Sequence, residues 1–392
     1  MCNLHGLRSL GKLRLTESLK LIISGEFLEK RRGWGRFEGV NREDGKSFVP
    51  FLRVQGTCGE DLRSLMLRAI SPAELVTLFE ENGSFLLSSH LRPDGDAIGS
   101  MLGLGLILEA LGKTVHYRHQ DGVPGNLAFL EEKGEERIRK VEGEEAIEAE
   151  VFVALDTANQ ERLGDLVLGV IAEGAQQVTI DHHITNECYG DHVWVDAEAP
   201  ATAQMVWELA QLGGWEIPAV ARQALYVGVS TDTGSFQYAN TTARTHEMVA
   251  HLLRAGLDVA EVNRLTYQNF PFRRVALLGM LLETLERSED GRLVWWSLTR
   301  AMKEAVGYQP GDSEGLVDVM RGIDEAVACV FFEEIDGSIR VSTRSKSESV
   351  NVSEVCALFG GGGHVLAAGA RLEGAIEEVR EKVIKALGEA DG

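Results

Sequence analysis

The segment Ser88-Ser89-His90-Leu91-Arg92-Pro93-Asp94-Gly95-Asp96-Ala97-Ile98-Gly99-Ser100 puts one imidazole and two carboxylates within seven residues. Further on, Asp181-His182-His183 adds a carboxylate and two imidazoles, and two single aspartates, Asp156 and Asp232, end otherwise apolar stretches. Carboxylates and imidazoles without thiolates suit hard divalent ions such as Mn²⁺ or Mg²⁺ better than structural zinc. Two such ions held side by side cleave phosphate esters. Gly95 lets the chain turn between Asp94 and Asp96, and alternation along extended backbone aims the two acids apart, so that each can serve a different ion. Taken singly, each aspartate reads as a cap or a turn former, Asp96 as the cap of the helix that follows it. The combination is what points to metal. In the His182-His183 pair, one imidazole reads as a ligand and the other as a neutral or cationic partner for a phosphate oxygen, with Asp181 placed to orient an imidazole.

A second signal is Phe359-Gly360-Gly361-Gly362-Gly363-His364, followed by Ala367-Ala368-Gly369. Glycines at 361, 362 and 363 expose backbone N–H groups to an anion, and His364 can add charge or stack on a base. No Gly-Lys-Ser/Thr follows, which excludes a Walker loop. The bland alternative is a flexible glycine loop.

These groups need strand ends to hold them. Ser71-Pro72-Ala73-Glu74 reads as a helix start. Phe85-Leu86-Leu87 reads as a strand ending at His90, and Gly95 to Gly112 as a helix of small residues. Lys113 to Tyr117, Val151 to Leu155 and Gln177 to Ile180 read as strands, the last two ending in Asp156 and Asp181. Thr202 to Leu212 and Ala219 to Val229 read as helices, with Asp232 in the turn beyond. Strands alternating with helices predict a parallel α/β sheet, in which ligands bind at the carboxyl ends of the strands. Residues 258–287 read as continuous helix broken only at Pro271. From Arg292 the pattern changes to strands at Leu293–Leu298, Ala326–Glu333 and Ser338–Thr343, with a hairpin turn at Asp336-Gly337 and helices at Val352–Phe359 and Ile376–Leu387. The expected fold is therefore α/β: a parallel-sheet N-terminal metal-binding domain (68–257), a helical connector (258–290) and a smaller α+β C-terminal domain (291–392). Residues 1–67 read as an extension that orders poorly or precedes a true start near Met66. A targeting peptide or membrane-surface helix is the competing reading.

The 392-residue chain has 60 Asp and Glu against 39 Lys and Arg, a formal charge of −21. Grip on long nucleic acid relies on a basic surface, so a nucleotide or short oligonucleotide is the easier substrate. Residues 1–67 carry twelve Lys and Arg against eight Asp and Glu, so the acidic excess lies wholly downstream. No apolar run approaches a membrane span. The five scattered cysteines form no CxxC pair or disulfide framework, which predicts a cytoplasmic protein.

The motifs around His90, Asp94 and Asp96, Asp156 after Val153-Ala154-Leu155, Asp181-His182-His183, and Asp232 together resemble the four signatures of the DHH phosphoesterase superfamily. The resemblance implies two Mn²⁺ ions, Mg²⁺ or Co²⁺ being alternatives. It implies His90, Asp94 and Asp156 on one ion, and Asp96, Asp156, His182 and Asp232 on the other, Asp156 bridging. His183 would contact the scissile phosphate. With Ser342-Thr343-Arg344-Ser345, the glycine loop resembles the DHH-associated domain of the short-oligonucleotide branch, in which Arg344 would pair with a phosphate and Gly361, Gly362, Gly363 and His364 would clamp the substrate. Asn351 departs from that branch, where Asp is common, and predicts a weaker hydrogen bond near the loop. The nearest family is that of the bifunctional oligoribonucleases (nano-RNases) and pAp phosphatases, which implies substrates of two to five nucleotides and pAp, and is compatible with a homodimer through the first domain. A cyclic-dinucleotide phosphodiesterase and a catalytically silent nucleotide-binding protein are the competing readings.

Overall fold

The computed structural model describes residues 68–131, 135–143 and 145–391. The expectation for residues 1–67 lies outside them.

The first sheet has six parallel strands, β1 (Ser84–Ser89), β2 (Thr114–His119), β3 (Ile138–Lys140), β4 (Val151–Leu155), β5 (Gln176–Asp181) and β6 (His192–Val195), in the order β3-β2-β1-β4-β5-β6. Both faces are covered, so its strands are continuous apolar runs rather than alternating ones. In β4, Val151, Val153 and Leu155 enter the larger core. Phe152 and Ala154 pack on the opposite face with Leu163, Val167 and Val170, the latter pair from the short helix α3 (Asp165–Gly169) and its end. The strand order reverses between β1 and β4, leaving a crevice beyond their carboxyl ends.

On the larger-core side lie α1 (Pro72–Glu81), α2 (Gly95–Ala110), α4 (Thr202–Gly213), α5 (Ala219–Asp232) and α6 (Ala243–Arg254). Ser71 and Glu74 close α1 with a reciprocal capping box. Helices α2 and α5 touch backbone to backbone. A Cβ on Gly99 would lie 2.4 Å from the Ala224 carbonyl oxygen and 3.0 Å from the Gly228 nitrogen, and one on Gly228 would lie 2.9 Å from Asp96 Oδ1. Small residues are required here because nothing else lets the two helices, which carry Asp96 and Asp232, approach so closely.

Helices α7 (Val259–Tyr267) and α8 (Phe272–Glu283) lead to the second sheet. The helix expected through residue 287 is thus two helices, and it stops earlier. Pro271 cannot donate an N–H and disfavours helical backbone at Phe270, while Glu286–Arg287 forms strand β7 against β8 (Leu293–Leu298). The second sheet is mixed, in the order β11-β12-β10-β9-β8-β7, with β9 (Ala328–Ile335), β10 (Ser338–Ser345), β11 (Gly362–His364) and β12 (Ala367–Glu373). Helices α9 (Arg300–Val306), α10 (Val317–Met320), α11 (Val352–Ala357) and α12 (Ile376–Asp391) complete it. Strand β9 is likewise apolar on both faces: Ala328, Val330 and Phe332 face one core, Cys329 and Phe331 the other. Among the described residues no helix is long and apolar enough to cross a membrane.

The glycine seam makes a direct prediction. Gly99→Ala forces a methyl group onto backbone atoms that cannot give way and should destabilise the fold by about 1–3 kcal/mol. Gly279→Ala, in α8 with open space where the Cβ would go, should stabilise by about 0.5–1 kcal/mol. Urea denaturation of the two variants measures both.

Candidate metal centre

The acids and imidazoles of the two sequence motifs gather at the crevice where the strand order reverses. His90 follows β1, Asp156 follows β4, and Asp181 ends β5 with His182 and His183 just past it. Asp156 adopts a left-handed backbone (φ 54°), unusual for a residue with a side chain. Its N–H donates to the Ile180 carbonyl at 3.0 Å, which anchors this turn at the strand end.

The Asp156 carboxylate faces two ways. Oδ2 lies 3.4 Å from His90 Nε2, and Oδ1 lies 3.4 Å from His182 Nε2. On the His90 side, Asp94 Oδ2 is 3.7 Å from the same Nε2. On the His182 side, Nε2 is 3.3 Å from Asp232 Oδ2 and 3.9 Å from Asp96 Oδ2. Two compact groups result, His90–Asp94–Asp156 and Asp96–His182–Asp232, each with donor atoms close enough to share one ion. Both imidazoles turn Nε2 inward because Nδ1 is engaged by backbone: Leu91 O at 2.9 Å for His90 and Ala199 O at 3.3 Å for His182. This anchoring of the outer nitrogen is the usual way a protein aims a ligating histidine. His182 Nε2 is buried and makes no hydrogen bond, though three carboxylates surround it. A buried polar atom without a partner, ringed by hard anionic donors, fits a divalent cation.

The electrostatics agree. Burial and the nearby Asp156 charge push Asp96 up to about 7. Burial and Asp96 push Asp232 well above the usual carboxylate range. Asp156 goes the other way, held well below that range despite burial by His182 and His90. Burial opposes charge on His90, but Asp156 and Asp94 raise its imidazole to about 10. Crowded carboxylates that share protons with imidazoles are groups that a cation would satisfy better.

Asp94, not Asp96, caps α2: its carboxylate accepts the N–H groups of Asp96 and Ala97 at 3.0 and 3.1 Å. Asp96 sits in the first turn. It accepts instead from the Thr202 and Ala203 N–H groups at 2.6 and 2.9 Å, which begin α4. An anion is favoured at that helix start, which is how a wholly buried carboxylate is tolerated there. Asp232 is the last residue of α5 rather than part of the turn beyond.

Asp181 orients His183, not His182. Its Oδ1 accepts from His183 Nδ1 at 2.7 Å, and its Oδ2 accepts from Asn186 Nδ2 at 2.6 Å. The second sheet reaches the centre through His364, whose ring stacks on His183 at 5.0 Å and lies 5.5 Å from His182. The glycines before it have separate tasks. Gly361 and Gly363 lie so close to β12 that a Cβ would meet the carbonyl oxygens of Gly369 at 2.1 Å and Ala367 at 2.6 Å, whereas Gly362 faces open space. Residues 362–364 thus form a short strand instead of the loop expected from the glycines. Asn351 caps α11 through Ser353 and Glu354 N–H groups at 3.1 and 3.3 Å, so the departure from Asp leaves the cap bonds in place. Arg344, on β10, lines a cleft of about 1990 Å³ that also contains Asp94 and Asp232. Its Nε donates to Asp318 at 3.1 Å and its Nη1 to the Thr343 carbonyl at 3.1 Å.

Sequence reasoning missed Asn186, Thr202 and His119. Thr202 Oγ1 donates to Asp156 at 3.4 Å. His119, fully buried at the end of β2, bonds the His90 carbonyl through Nε2 at 2.9 Å. His119 reads in sequence as one more strand residue. Only the adjacency of β1 and β2 shows what it supports.

The chain matches the family model described as "DHH family, N-terminal domain" over residues 84–229 and the "DHHA1 domain" model over residues 299–390. It is 36% identical over 311 residues, 78% of this chain and 90% of the relative, to the bifunctional oligoribonuclease and PAP phosphatase NrnA of Thermus thermophilus. Identity is 31% over 302 residues (76% and 92% coverage) to the protein of the same name from Bacillus subtilis. Among solved structures, an exopolyphosphatase-related protein from Bacteroides fragilis superposes with a TM-score of 0.73 at 26% identity, covering 86% of this chain and 98% of that one.

Because Asp156 faces both groups, it should matter to both ions. Titration calorimetry should find two equivalents of Mn²⁺ for the wild-type protein and at most one for Asp156→Ala, with the rise in Tm on adding Mn²⁺ largely lost in the variant.

Proposed function

The chain belongs to the DHH family of phosphoesterases, and from that premise we propose that it hydrolyses short oligoribonucleotides to mononucleotides and removes the 3′-phosphate of pAp. The observation that carries this reading is the pair of acid and imidazole groups on either side of Asp156, at one end of a cleft lined by both cations and acids. The relatives named for these two activities are matched along nearly their whole length.

In this reading His90, Asp94 and Asp156 hold one divalent cation, and Asp96, Asp156, His182 and Asp232 the other, with Mn²⁺ the expected ion. Such a pair supplies an activated water and neutralises charge on the phosphoryl oxygens. The residues of the chain do the rest. His183, fixed by Asp181 through Nδ1, presents its Nε2 to a phosphate oxygen as negative charge develops there. His364, stacked on His183, closes the centre from the second sheet and keeps the ring from turning. Asp318 leaves Arg344 Nη2 uncommitted, so that this nitrogen can pair with a substrate phosphate in the planar manner of a guanidinium. Gly362 gives a ligand access to backbone where its neighbours are packed. Among the described residues Cys329 and Cys356 are free thiols, which suits the reducing cytoplasm in which such nucleotides arise.

Purified protein with Mn²⁺ should release AMP from the dinucleotide ApA and inorganic phosphate from pAp, with a cyclic dinucleotide turned over more slowly. Binding without turnover under any divalent ion would instead make this a nucleotide sensor. Arg344→Ala should raise KM for ApA by about tenfold while lowering kcat much less, since the contact is made in the ground state as well as in the transition state. Steady-state kinetics decides; an unchanged KM would remove Arg344 from the substrate site.

A further inference from the structure

The cleft wall is rich in cations, and most are already paired. Arg273 donates to Asp312, Arg274 to the Asp312 and Glu314 carbonyls, Arg300 to Glu304, and Lys303 to Glu333. Arg340 pairs with Glu314 and Glu333, and Arg344 with Asp318. The remaining two, Arg92 and Lys140, have no side-chain partner among the described residues. Both come from the first sheet, the side that carries the metal centre.

Arg92 is not a loose surface side chain. It lies midway between His90 and Asp94, and its backbone is left-handed (φ 56°), a conformation that a residue with a side chain adopts only when held. The restraints are specific. Its own N–H donates to Asp121 Oδ2 at 2.6 Å, and the N–H of Leu91 donates to the Arg162 carbonyl at 2.6 Å. The His90 carbonyl is tied to His119 Nε2, while His119 Nδ1 accepts the N–H groups of Asp121 and Gly122 at 3.0 and 3.1 Å. Lys140 stands opposite His119 in the β2–β3 ladder, with its stem against Gly122. One small framework therefore aims two unpaired cations into the cleft beside the centre.

We propose that Arg92, assisted by Lys140, is the phosphate-binding residue for the substrate phosphate that neighbours the scissile one. This rests on the function proposed above and explains how one centre would serve two kinds of substrate. In pAp the 3′-phosphate is cleaved and the 5′-phosphate remains. In a 5′-phosphorylated dinucleotide the internal diester is cleaved and the 5′-phosphate again lies one ribose away. A cation set two residues from His90 reads that shared second phosphate in both.

The test compares substrates with and without the second phosphate. Arg92→Ala should raise KM for pApA about tenfold or more, leave KM for ApA within about threefold, and change kcat little for either, because only a charge-assisted contact is lost. Arg92→Lys should restore part of the difference and Lys140→Ala should show a weaker form of it. Equal changes for pApA and ApA, or none, overturn the assignment. A readout free of turnover separates this from the function itself: calorimetry of the Mn²⁺-loaded protein with 5′-AMP and with adenosine. If wild type cleaves neither dinucleotide but Arg92→Ala weakens 5′-AMP at least tenfold and adenosine hardly at all, the subsite stands and the proposed reaction falls. If both ligands bind alike to wild type and variant, the subsite falls whatever the activity.

Discussion

One carboxylate holds the arrangement together. Asp156 stands where the strand order reverses, on a backbone forced into the left-handed region, and divides its oxygens between His90 and His182. Burial would normally neutralise such a group. The His182 and His90 imidazoles keep it charged, and the Thr202 hydroxyl also donates to it. The acids around it carry the opposite burden, since Asp96 and Asp232 are driven toward protonation by burial and by one another. A centre with this charge imbalance is stable only with protons or cations to offset it, and its ligand types favour hard divalent ions.

The acidic chain still brings eight Lys and Arg side chains to the cleft, beside at least as many acids. A formal charge of −21 works against the approach of long polyanions. Within the cleft, four of the eight cations are paired with Glu333, Glu314, Asp312 and Asp318, which limits the local field. Arg92 and Lys140 are left without a side-chain partner among the described residues. Asp318 also accepts from Tyr238 at 3.3 Å, so the Arg344 side of the cleft is linked to the element that follows Asp232.

Much of this was legible because parallel sheets write their chemistry at strand ends. Apolar runs leading to His90, Asp156 and Asp181 point to the crevice from sequence alone, and the His-Asp-Asp and Asp-His-His spacings mark side chains that gather there. What stayed hidden depends on pairing between distant segments. Asp96 looked like a local cap, yet its hydrogen bonds run to Thr202 and Ala203, more than a hundred residues on. His119 looked like an ordinary strand residue until β2 was seen beside β1. The glycine run signalled backbone exposure, while two of its members are small because β12 crowds them. Residues 258–287 had helical periodicity throughout, which does not show where a β-strand will recruit Glu286 and Arg287.

The seam between α2 and α5 has an implication for how such a centre is tuned. Asp94 and Asp96 ride at the start of one helix and Asp232 at the end of the other, and the helices meet at Gly99 and Gly228 without side chains between them. The spacing of the acids is therefore inherited from a backbone junction. A methyl group added there would act like a shim under a calliper jaw, moving Asp96 and Asp232 apart while removing neither.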